Sequence, residues 1–206
     1  MALPAKVSDE RHYCGILLAA GRSMRFGSDK LLHPLADGMP MSVVSARAMT
    51  SAMPRVVAVV DRRNASLCEL LGTAGIDIVT VSRDGEGMGT SLATGIAATA
   101  DAEGWVVALA DMPFISPATI GRVLAALTAG APIAAPAYKG RRGHPVGFDR
   151  RFRDELTALR GDEGARGLLA VHADQLELID CDDAGVLRDI DVPADLDDLA
   201  VAEVGM

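Results

Sequence analysis

Aromatic side chains, cysteines and net basic charge are all scarce in this chain, and these shortages limit the classes of protein to which it can belong. Aromatic residues make up 3% of the 206 residues and apolar residues 50%, which indicates a core of mainly aliphatic side chains. The three cysteines are odd in number and far apart along the chain, so neither a disulfide framework nor a zinc site is expected. The net charge of -8 argues against a nucleic-acid partner, because nucleic-acid binding usually requires a basic face.

Long hydrophobic runs are also missing. The amino-terminal segment 1–15 lacks the apolar region of a signal peptide, and no later stretch is an uninterrupted apolar span of membrane length. We therefore expect a cytoplasmic protein with no membrane partner. The length suits one domain, with a core over about residues 13–203 and a short amino-terminal extension, 1–12.

Short runs rich in valine, isoleucine and leucine alternate with alanine-rich segments of helical period. This alternation is typical of repeated βαβ units and predicts an α/β fold with a mostly parallel sheet. Strands are predicted at 15–19, 56–60, 76–81, 105–109, 133–135 and 176–181. Helices are predicted at 41–52, 65–72, 91–100, 117–129, 152–159, 165–173 and 193–201. Ser116, directly before Pro117, is predicted to cap the fourth helix, and residues 61–64 to open the second.

The segment 15–30, GILLAAGRSMRFGSDK, runs from a buried strand into a glycine-containing loop with three cations, Arg22, Arg25 and Lys30. Glycines let the backbone approach an anion closely, and the cations supply charge that the acidic chain otherwise lacks. The loop therefore predicts phosphate binding, with an ordinary basic turn as the alternative. Neither GxxxxGKS, GxxxxGKT nor GxGxxG occurs, so the loop is not a P-loop or a dinucleotide fingerprint.

Two later motifs favour the same kind of site. Asp111 follows a strongly apolar strand, and the carboxyl ends of strands are where open α/β sheets bind ligands. It is a candidate metal ligand, although a lone aspartate there is often only a turn former. The segment 85–95, GEGMGTSLATG, is a glycine loop entering a helix, where backbone amides and Ser91 are expected to meet a ligand. A helix cap with no ligand is an equal alternative.

The basic segment 138–147 predicts an exposed loop or hairpin that carries positive charge over a cleft. His144 lies within this segment, and the later segment GDEGARGLL, 161–169, contains Asp162 and Arg166. Taken alone, His144 before a proline is more often a turn residue, and Asp162 is more often a helix cap.

The loop LAAGxSxRFGxxK, 18–30, resembles the signature of nucleotidyltransferases with a Rossmann-like, GT-A-type fold, and above all that of the MobA-like molybdenum cofactor cytidylyltransferases. Further segments match the same family in order: GMGTSL at 87–92, ADMP at 110–113, GHPVGF at 143–148, GDEGARGLL at 161–169 and DIDVPADL at 189–196. Val192 replaces the commoner threonine of the last segment. Related guanylyltransferases typically carry AGG and RMG, whereas this chain has AAG and RFG, which favours CTP over GTP.

The resemblance implies a single-domain, three-layer α/β/α nucleotidyltransferase fold and the transfer of CMP from CTP to the phosphate of molybdenum-molybdopterin. Mg²⁺ is the implied cofactor, and a molybdoenzyme or its chaperone is an implied transient partner. The implied metal ligands are Asp111 and Asp191, and the implied catalytic residues are Arg25, Lys30 and Asp111. The implied nucleotide contacts are Leu18, Ala19, Ala20, Gly21, Arg22, Ser23, Arg25, Lys30, Gly89, Ser91 and Asp111. The implied acceptor contacts are His144, Asp162 and Arg166.

Three other functions stay open on sequence alone. A guanylyltransferase would use the same pterin acceptor, and a cytidylyltransferase for a sugar or polyol phosphate would use the same nucleotide. A nucleotide-binding maturation partner of a molybdoenzyme would bind without turnover.

Overall fold

The predicted alternation of strands and helices is present along the chain. The structure, a computed structural model, describes residues 12–21, 26, 29–82, 87–192, 194 and 195. The strands are β1 (Tyr13–Ala19), β2 (Val56–Asp61), β3 (Asp77–Val81), β4 (Gly104–Leu109), β5 (Ile133–Tyr138), β6 (Arg141–Arg142), β7 (Val146–Asp149) and β8 (Leu176–Asp180). The helices are α1 (Met41–Ala52), α2 (Ala65–Thr73), α3 (Met88–Ala98), α4 (Pro117–Thr128), α5 (Arg153–Ala158) and α6 (Arg166–Val171).

All six predicted strands and the first six predicted helices are confirmed, with differences at their ends. Helix α3 begins three residues before its predicted start, and a short 3₁₀ turn (Arg150–Phe152) precedes α5. Of the seventh predicted helix, Ala194 and Asp195 are helical and residues 196–201 lie outside the described part of the chain. Both predicted helix starts are confirmed, because Ser116 accepts a hydrogen bond from the Ala118 amide and Asn64 accepts one from the Leu67 amide.

The sheet has the order β3-β2-β1-β4-β7-β5-β6, with β8 paired to the other edge of β5. Strands β3, β2, β1 and β4 run parallel to one another. The chain builds outward from β1 to β2 and β3 and then crosses back to place β4 on the opposite side of β1. This reversal makes the carboxyl ends of β1 and β4 a topological switch point, where sheets of this class form their ligand crevice.

Strands β6 and β7 are the part of the sheet that the hydrophobic pattern did not predict as strands. β7 runs antiparallel between β4 and β5, and the two-residue β6 pairs with the end of β5. Both strands are shorter than the runs by which periodicity identifies a strand. The predicted basic hairpin over residues 138–147 is nevertheless present as the β5–β6 turn.

Two apolar layers cover the two faces of the sheet. Alternate residues along each strand point to opposite faces, so Leu17 packs in one cluster and Ile16 in the other. The first cluster joins the sheet to α1, α2 and α4, and the second joins it to α3, α5 and α6. This is the expected three-layer α/β/α arrangement. Among the described residues, no helix has the length and apolarity that a bilayer crossing needs.

Candidate active site

Lys30 joins the two carboxylates that the sequence predicts as metal ligands. Its Nζ lies 2.8 Å from Asp111 Oδ2 and 3.2 Å from Asp191 Oδ1, and it donates a third hydrogen bond to the Ile190 carbonyl at 2.8 Å. The lysine side chain is only 10% exposed, whereas Asp191 is 45% exposed. Three predicted site residues, separated by up to 161 positions in the chain, therefore converge at one point.

Asp111 is placed by the end of β4 and by contacts on both sides of it. It lies two residues beyond the last residue of the strand, Leu109. The buried Ser45 hydroxyl of α1 donates to the Ala110 carbonyl at 3.0 Å, and the Ile190 amide donates to the Asp111 carbonyl at 3.0 Å. The backbone on either side of the carboxylate is thus held before any ligand arrives.

Asp191 lies in the carboxy-terminal segment 183–195, which hydrogen bonds hold in place near both of its ends. Asp183 accepts hydrogen bonds from the Ser116 amide at 2.9 Å and from the Thr119 hydroxyl at 2.7 Å, which fastens the start of the segment to α4. At its end, Asp195 Oδ2 accepts from the Asp191 and Val192 amides at 2.7 and 2.9 Å. The hydrogen bond from Val192, followed by that from Asp191, lowers the pKa of Asp195.

Lys30 begins a 3₁₀ turn (Lys30–Leu32) that is fixed by Asp29. Asp29 Oδ1 accepts a hydrogen bond from the Leu31 amide at 3.2 Å, and its other oxygen accepts one from the Asn64 side-chain amide. Asn64 in turn caps α2. The phosphate-loop residue Lys30 is therefore anchored to the β2–α2 connection, so its backbone position is largely predetermined.

The protonation of Lys30 follows from its surroundings. Burial by itself lowers the pKa of the ammonium group, but the hydrogen bonds and charges of Asp111 and Asp191 outweigh burial and raise the pKa above its ordinary value. Lys30 is therefore charged at neutral pH. These three side chains, two carboxylates and one ammonium, together carry a net negative charge.

The oxygen set around Lys30 Nζ fits Mg²⁺ or Mn²⁺. Hard divalent cations prefer carboxylate and carbonyl oxygens, and Mg²⁺ commonly takes one or two carboxylates together with substrate phosphates and water. No group of three or more histidine, cysteine or acidic side chains suited to a metal occurs within the described ranges. The two carboxylates and the Ile190 carbonyl match the oxygen preference of these cations.

The predicted contacts at the start of α3 have internal partners. The Gly89 amide donates to the Gly161 carbonyl at 2.8 Å, and the Ser91 hydroxyl donates to the Gly87 carbonyl at 3.2 Å. A side chain at Gly89 would place Cβ 2.7 Å from the Arg160 carbonyl oxygen. The glycines thus allow α3 to pack against the loop that contains Asp162, and the nucleotide-binding role of Gly89 and Ser91 stays a prediction.

The other predicted nucleotide contacts surround the carboxyl end of β1. Leu18 and Ala19 end the strand, and the Ala110 amide donates to the Leu18 carbonyl at 3.0 Å, so this end lies beside the residue that precedes Asp111. Ala20 is half-buried and Gly21 is exposed. The predicted contacts Arg22, Ser23 and Arg25 lie outside the described residues.

Of the predicted acceptor residues, His144 is hydrogen-bonded to the carboxy-terminal segment that leads to the Lys30 contact. The His144 amide donates to the Val186 carbonyl at 2.9 Å, and Val186 precedes Ile190 by only four residues. Four residues of chain span at most about 14 Å, so His144 and the Lys30 cluster occupy neighbouring parts of one side of the molecule. Asp162 lies on the loop before α6 and Arg166 is the first residue of α6; both are exposed.

The imidazole of His144 is kept neutral by its surroundings. Burial, followed by the positive charge of Arg142, lowers its pKa from 6.5 to about 4, against the opposing effect of the Asp189 carboxylate; Arg166 adds a smaller lowering effect. We expect an NMR titration of the imidazole carbons to give a midpoint near 4 in the folded protein. A midpoint at or above 6 would contradict the burial of the imidazole and the positive charges beside it.

The same shift has a consequence for acid stability. Because the folded pKa lies below the unfolded value, the neutral imidazole's contribution to stability is complete above about pH 6.5 and is lost as the pH falls towards 4. As the pH falls from about 6.5 to about 4, the free energy of unfolding should therefore fall less in His144→Gln than in the unmodified protein. Chemical denaturation measures this difference. The exposed His12→Gln provides the matched control.

Several positioning residues were not identified from the sequence. They are Asp29, Ser45 and Asp183, together with the carbonyl group of Ile190. Asp29 carried a usable signal, because an aspartate directly before a short helical run is a standard capping residue. The others act over long chain separations and have no local signature.

Comparisons with known proteins agree with this geometry. The model of the family described as MobA-like NTP transferase domain matches residues 15–177. The purine catabolism protein PucB of Bacillus subtilis is 33% identical over 198 residues, covering 89% of this chain and 93% of that protein. The nicotine blue oxidoreductase of Paenarthrobacter nicotinovorans is 31% identical over 186 residues, covering 86% and 91%.

A solved structure gives the same result. The crystal structure of Rv0371c from Mycobacterium tuberculosis H37Rv superposes with a TM-score of 0.81 at 28% identity, covering 91% of this chain and 96% of that one. A second structure of that protein, in complex with manganese, superposes with a TM-score of 0.73 at 27% identity, with 91% and 97% covered. The fold and the site together define an enzyme of the nucleotidyltransferase class. The chain belongs to the family of MobA-like NTP transferase domains.

Proposed function

We propose that this protein transfers CMP from CTP to the phosphate of molybdenum-molybdopterin and releases pyrophosphate. The observation that carries this proposal is the convergence of Lys30, Asp111 and Asp191 at the switch point of the sheet. The choice of CTP rests on the AAG and RFG triplets of the amino-terminal loop, and the choice of acceptor rests on the resemblance of the later segments.

The reaction requires little proton transfer from the protein. An oxygen of the acceptor phosphate attacks the α-phosphorus of CTP, the bond from that phosphorus to the bridging oxygen breaks, and pyrophosphate leaves. A phosphate monoester is already ionised near neutral pH, so positioning and charge compensation are the main tasks of the enzyme. A site composed of a lysine and two carboxylates suits these tasks.

Each residue of the cluster has a defined task in this proposal. Asp111 and Asp191 hold Mg²⁺, which supplies positive charge to the reacting phosphates when it is bound. Lys30 leaves the carboxylates and donates to phosphate oxygens, where it compensates charge on the departing pyrophosphate. Arg25, outside the described residues, has the same task. We place this reaction in the cytoplasm.

Pyrophosphate release, measured with each of the four nucleoside triphosphates and Mg²⁺, tests the proposal. The assay is run with and without molybdenum-loaded molybdopterin. We expect release with CTP and only in the presence of the pterin. Preference for GTP would assign the chain to guanylyl transfer, and turnover only with a sugar or polyol phosphate would overturn the proposed acceptor.

Two further outcomes would contradict the proposal. Nucleotide binding without turnover of any triphosphate would indicate a maturation partner rather than an enzyme. Because one relative is named nicotine blue oxidoreductase, the same preparations are assayed for oxidation or reduction of nicotine blue. Turnover of that compound in the absence of nucleotidyl transfer would contradict the proposed reaction.

A further inference from the structure

β8 is an outer strand of the sheet, and one of its two edges is open. On its inner side it pairs in parallel with β5, from Leu176 opposite Ile133 to Asp180 opposite Ala137. Within the described part of the chain, no strand pairs with its outer side. An open edge presents a row of backbone donors and acceptors, which makes it a surface for pairing with another strand.

The hydrogen bonds to β5 show which backbone groups of β8 point outward. Directly after the strand, the Cys181 amide donates to the Ala137 carbonyl at 2.9 Å. Backbone groups of successive residues in a strand point to alternate sides, so every second residue before Cys181 also faces β5. The backbone groups of Leu176, Leu178 and Asp180 therefore point away from the sheet.

These outward groups are complementary to those of a second, antiparallel copy of β8. The antiparallel register that pairs all five residues of the strand places Leu178 opposite the same residue of the second copy. Each Leu178 amide then meets a Leu178 carbonyl, and each Asp180 amide meets a Leu176 carbonyl. The Leu176 amide needs no new partner, because it already donates to the Ala173 carbonyl of a short 3₁₀ turn (Ala173–Gln175).

The side chains of β8 suit the same register. Leu178 is 49% exposed and lies on the face of the sheet that α3, α5 and α6 cover, because it is paired with the buried Ala135 of that face. Val171 of α6 is 75% exposed beside this face. Pairing two copies would bring the two Leu178 side chains together and remove them from water. On the other face Glu177 would lie opposite Ile179, so no like charges are directly opposed.

We propose that the protein forms a two-fold symmetric homodimer in which β8 pairs in antiparallel with β8 of a second copy. A second copy fits this edge because a single register pairs the outward amides and the exposed leucine with their own equivalents. Closed two-fold contacts of this kind use the same surface on both subunits. The inference goes beyond the proposed function and does not depend on it.

This arrangement leaves both Lys30 clusters accessible. β8 runs parallel to β5, and β5 and β4 are both antiparallel to β7, so β8 and β4 point in the same direction. In an antiparallel dimer the carboxyl ends of the strands in the two copies point in opposite directions. The two clusters would therefore lie at opposite rims of one continuous sheet.

The first experiment is sedimentation velocity of the full chain over a series of protein concentrations. We expect twice the mass of one chain at high concentration. Leu178→Lys should raise the Kd of the dimer about tenfold or more, because it replaces a leucine pair with two directly opposed positive charges. Thr80→Lys places the same charge at an exposed position of β3, at the other end of the sheet, and should change the Kd less than twofold.

The second experiment tests the register by disulfide cross-linking. In Leu178→Cys the two Cα atoms should lie about 5.5 Å apart, as in a hydrogen-bonded antiparallel pair, and a disulfide can span that distance. In Glu177→Cys the two Cα atoms would be diagonal neighbours about 7–8 Å apart, too far for a disulfide. We expect a cross-linked dimer on a non-reducing gel for Leu178→Cys alone. The unmodified protein, with its three cysteines, gives the background.

Four results would overturn the proposal. They are the mass of a single chain at every concentration, an unchanged Kd in Leu178→Lys, dissociation by Thr80→Lys instead, and equal cross-linking of the two cysteine variants. Circular dichroism checks the fold of each variant. If Leu178→Lys does not fold, the comparison of the cysteine variants still decides whether β8 pairs with itself.

Discussion

Asp111→Asn is expected to lower the rate of nucleotidyl transfer by about 10³-fold without unfolding the protein, the upper range for losing one charge-stabilising group. The substitution keeps the size of the side chain and its capacity to accept a hydrogen bond from Lys30, but it removes one of the two carboxylates proposed to hold a divalent cation. The measurement is the single-turnover rate at saturating CTP, acceptor and Mg²⁺, together with the thermal melting temperature.

Asp77→Asn is the matched control for this prediction. Asp77 is an exposed carboxylate at the amino end of β3, away from the carboxyl ends that form the site, so its loss should leave the rate unchanged. If Asp111→Asn retained most of its activity at saturating Mg²⁺, Asp111 would not be a metal ligand. The carboxylate would then serve only to orient Lys30.

The fold was largely predictable because its central part follows simple periodicity. β1, β2 and β4 are buried on both faces and read as continuous apolar runs, and helices α2 and α4 begin after the capping residues Asn64 and Ser116. The antiparallel insertion escaped prediction for a physical reason. β6 has two residues and β7 has four, and their pairing depends on neighbours far away in sequence, which no local pattern encodes.

The candidate site was predictable in its residue types but not in its contacts. Glycines with cations after β1 and an aspartate after β4 indicated phosphate and metal chemistry. The direct contact between Lys30 and both carboxylates was not expected, because the amino-terminal loop motif assigns Lys30 to phosphate oxygens alone. The Ile190 carbonyl also accepts a hydrogen bond from Lys30. A sequence motif is a pattern of side chains, so it does not predict a contact with a backbone atom of a distant segment.

That contact leads to a prediction about the order of binding. If Asp111 and Asp191 hold the metal as proposed, the Lys30 ammonium lies among the same oxygens, so the lysine and the metal would compete for them while no nucleotide is bound. The triphosphate of the proposed reaction would offer Lys30 alternative oxygens and would bring its own metal. Binding of the metal and release of Lys30 from the carboxylates should therefore be coupled to nucleotide binding.

Lys30→Met should separate the two roles of this residue. Transfer is expected to fall by about 10²-fold or more, because a charge that compensates the leaving pyrophosphate is lost. In the absence of nucleotide, the affinity for Mn²⁺ should instead rise by about tenfold or more, because a competing positive charge within a few ångströms is removed. The measurement is Mn²⁺ binding followed by electron paramagnetic resonance of the free ion.

Lys139→Met removes an equal charge from the exposed hairpin turn, where Lys139 Nζ lies 5.1 Å from the centroid of the Tyr138 ring, and should change neither the rate nor Mn²⁺ binding. The melting temperature supplies an independent readout. Loss of the Lys30 ammonium removes one charge-assisted hydrogen bond from each of Asp111 and Asp191, so the variant should melt at a lower temperature in chelator and recover when Mn²⁺ is added. Unchanged Mn²⁺ affinity in Lys30→Met would mean that the metal and the lysine do not share these oxygens, and the proposed coupling to nucleotide binding would fail.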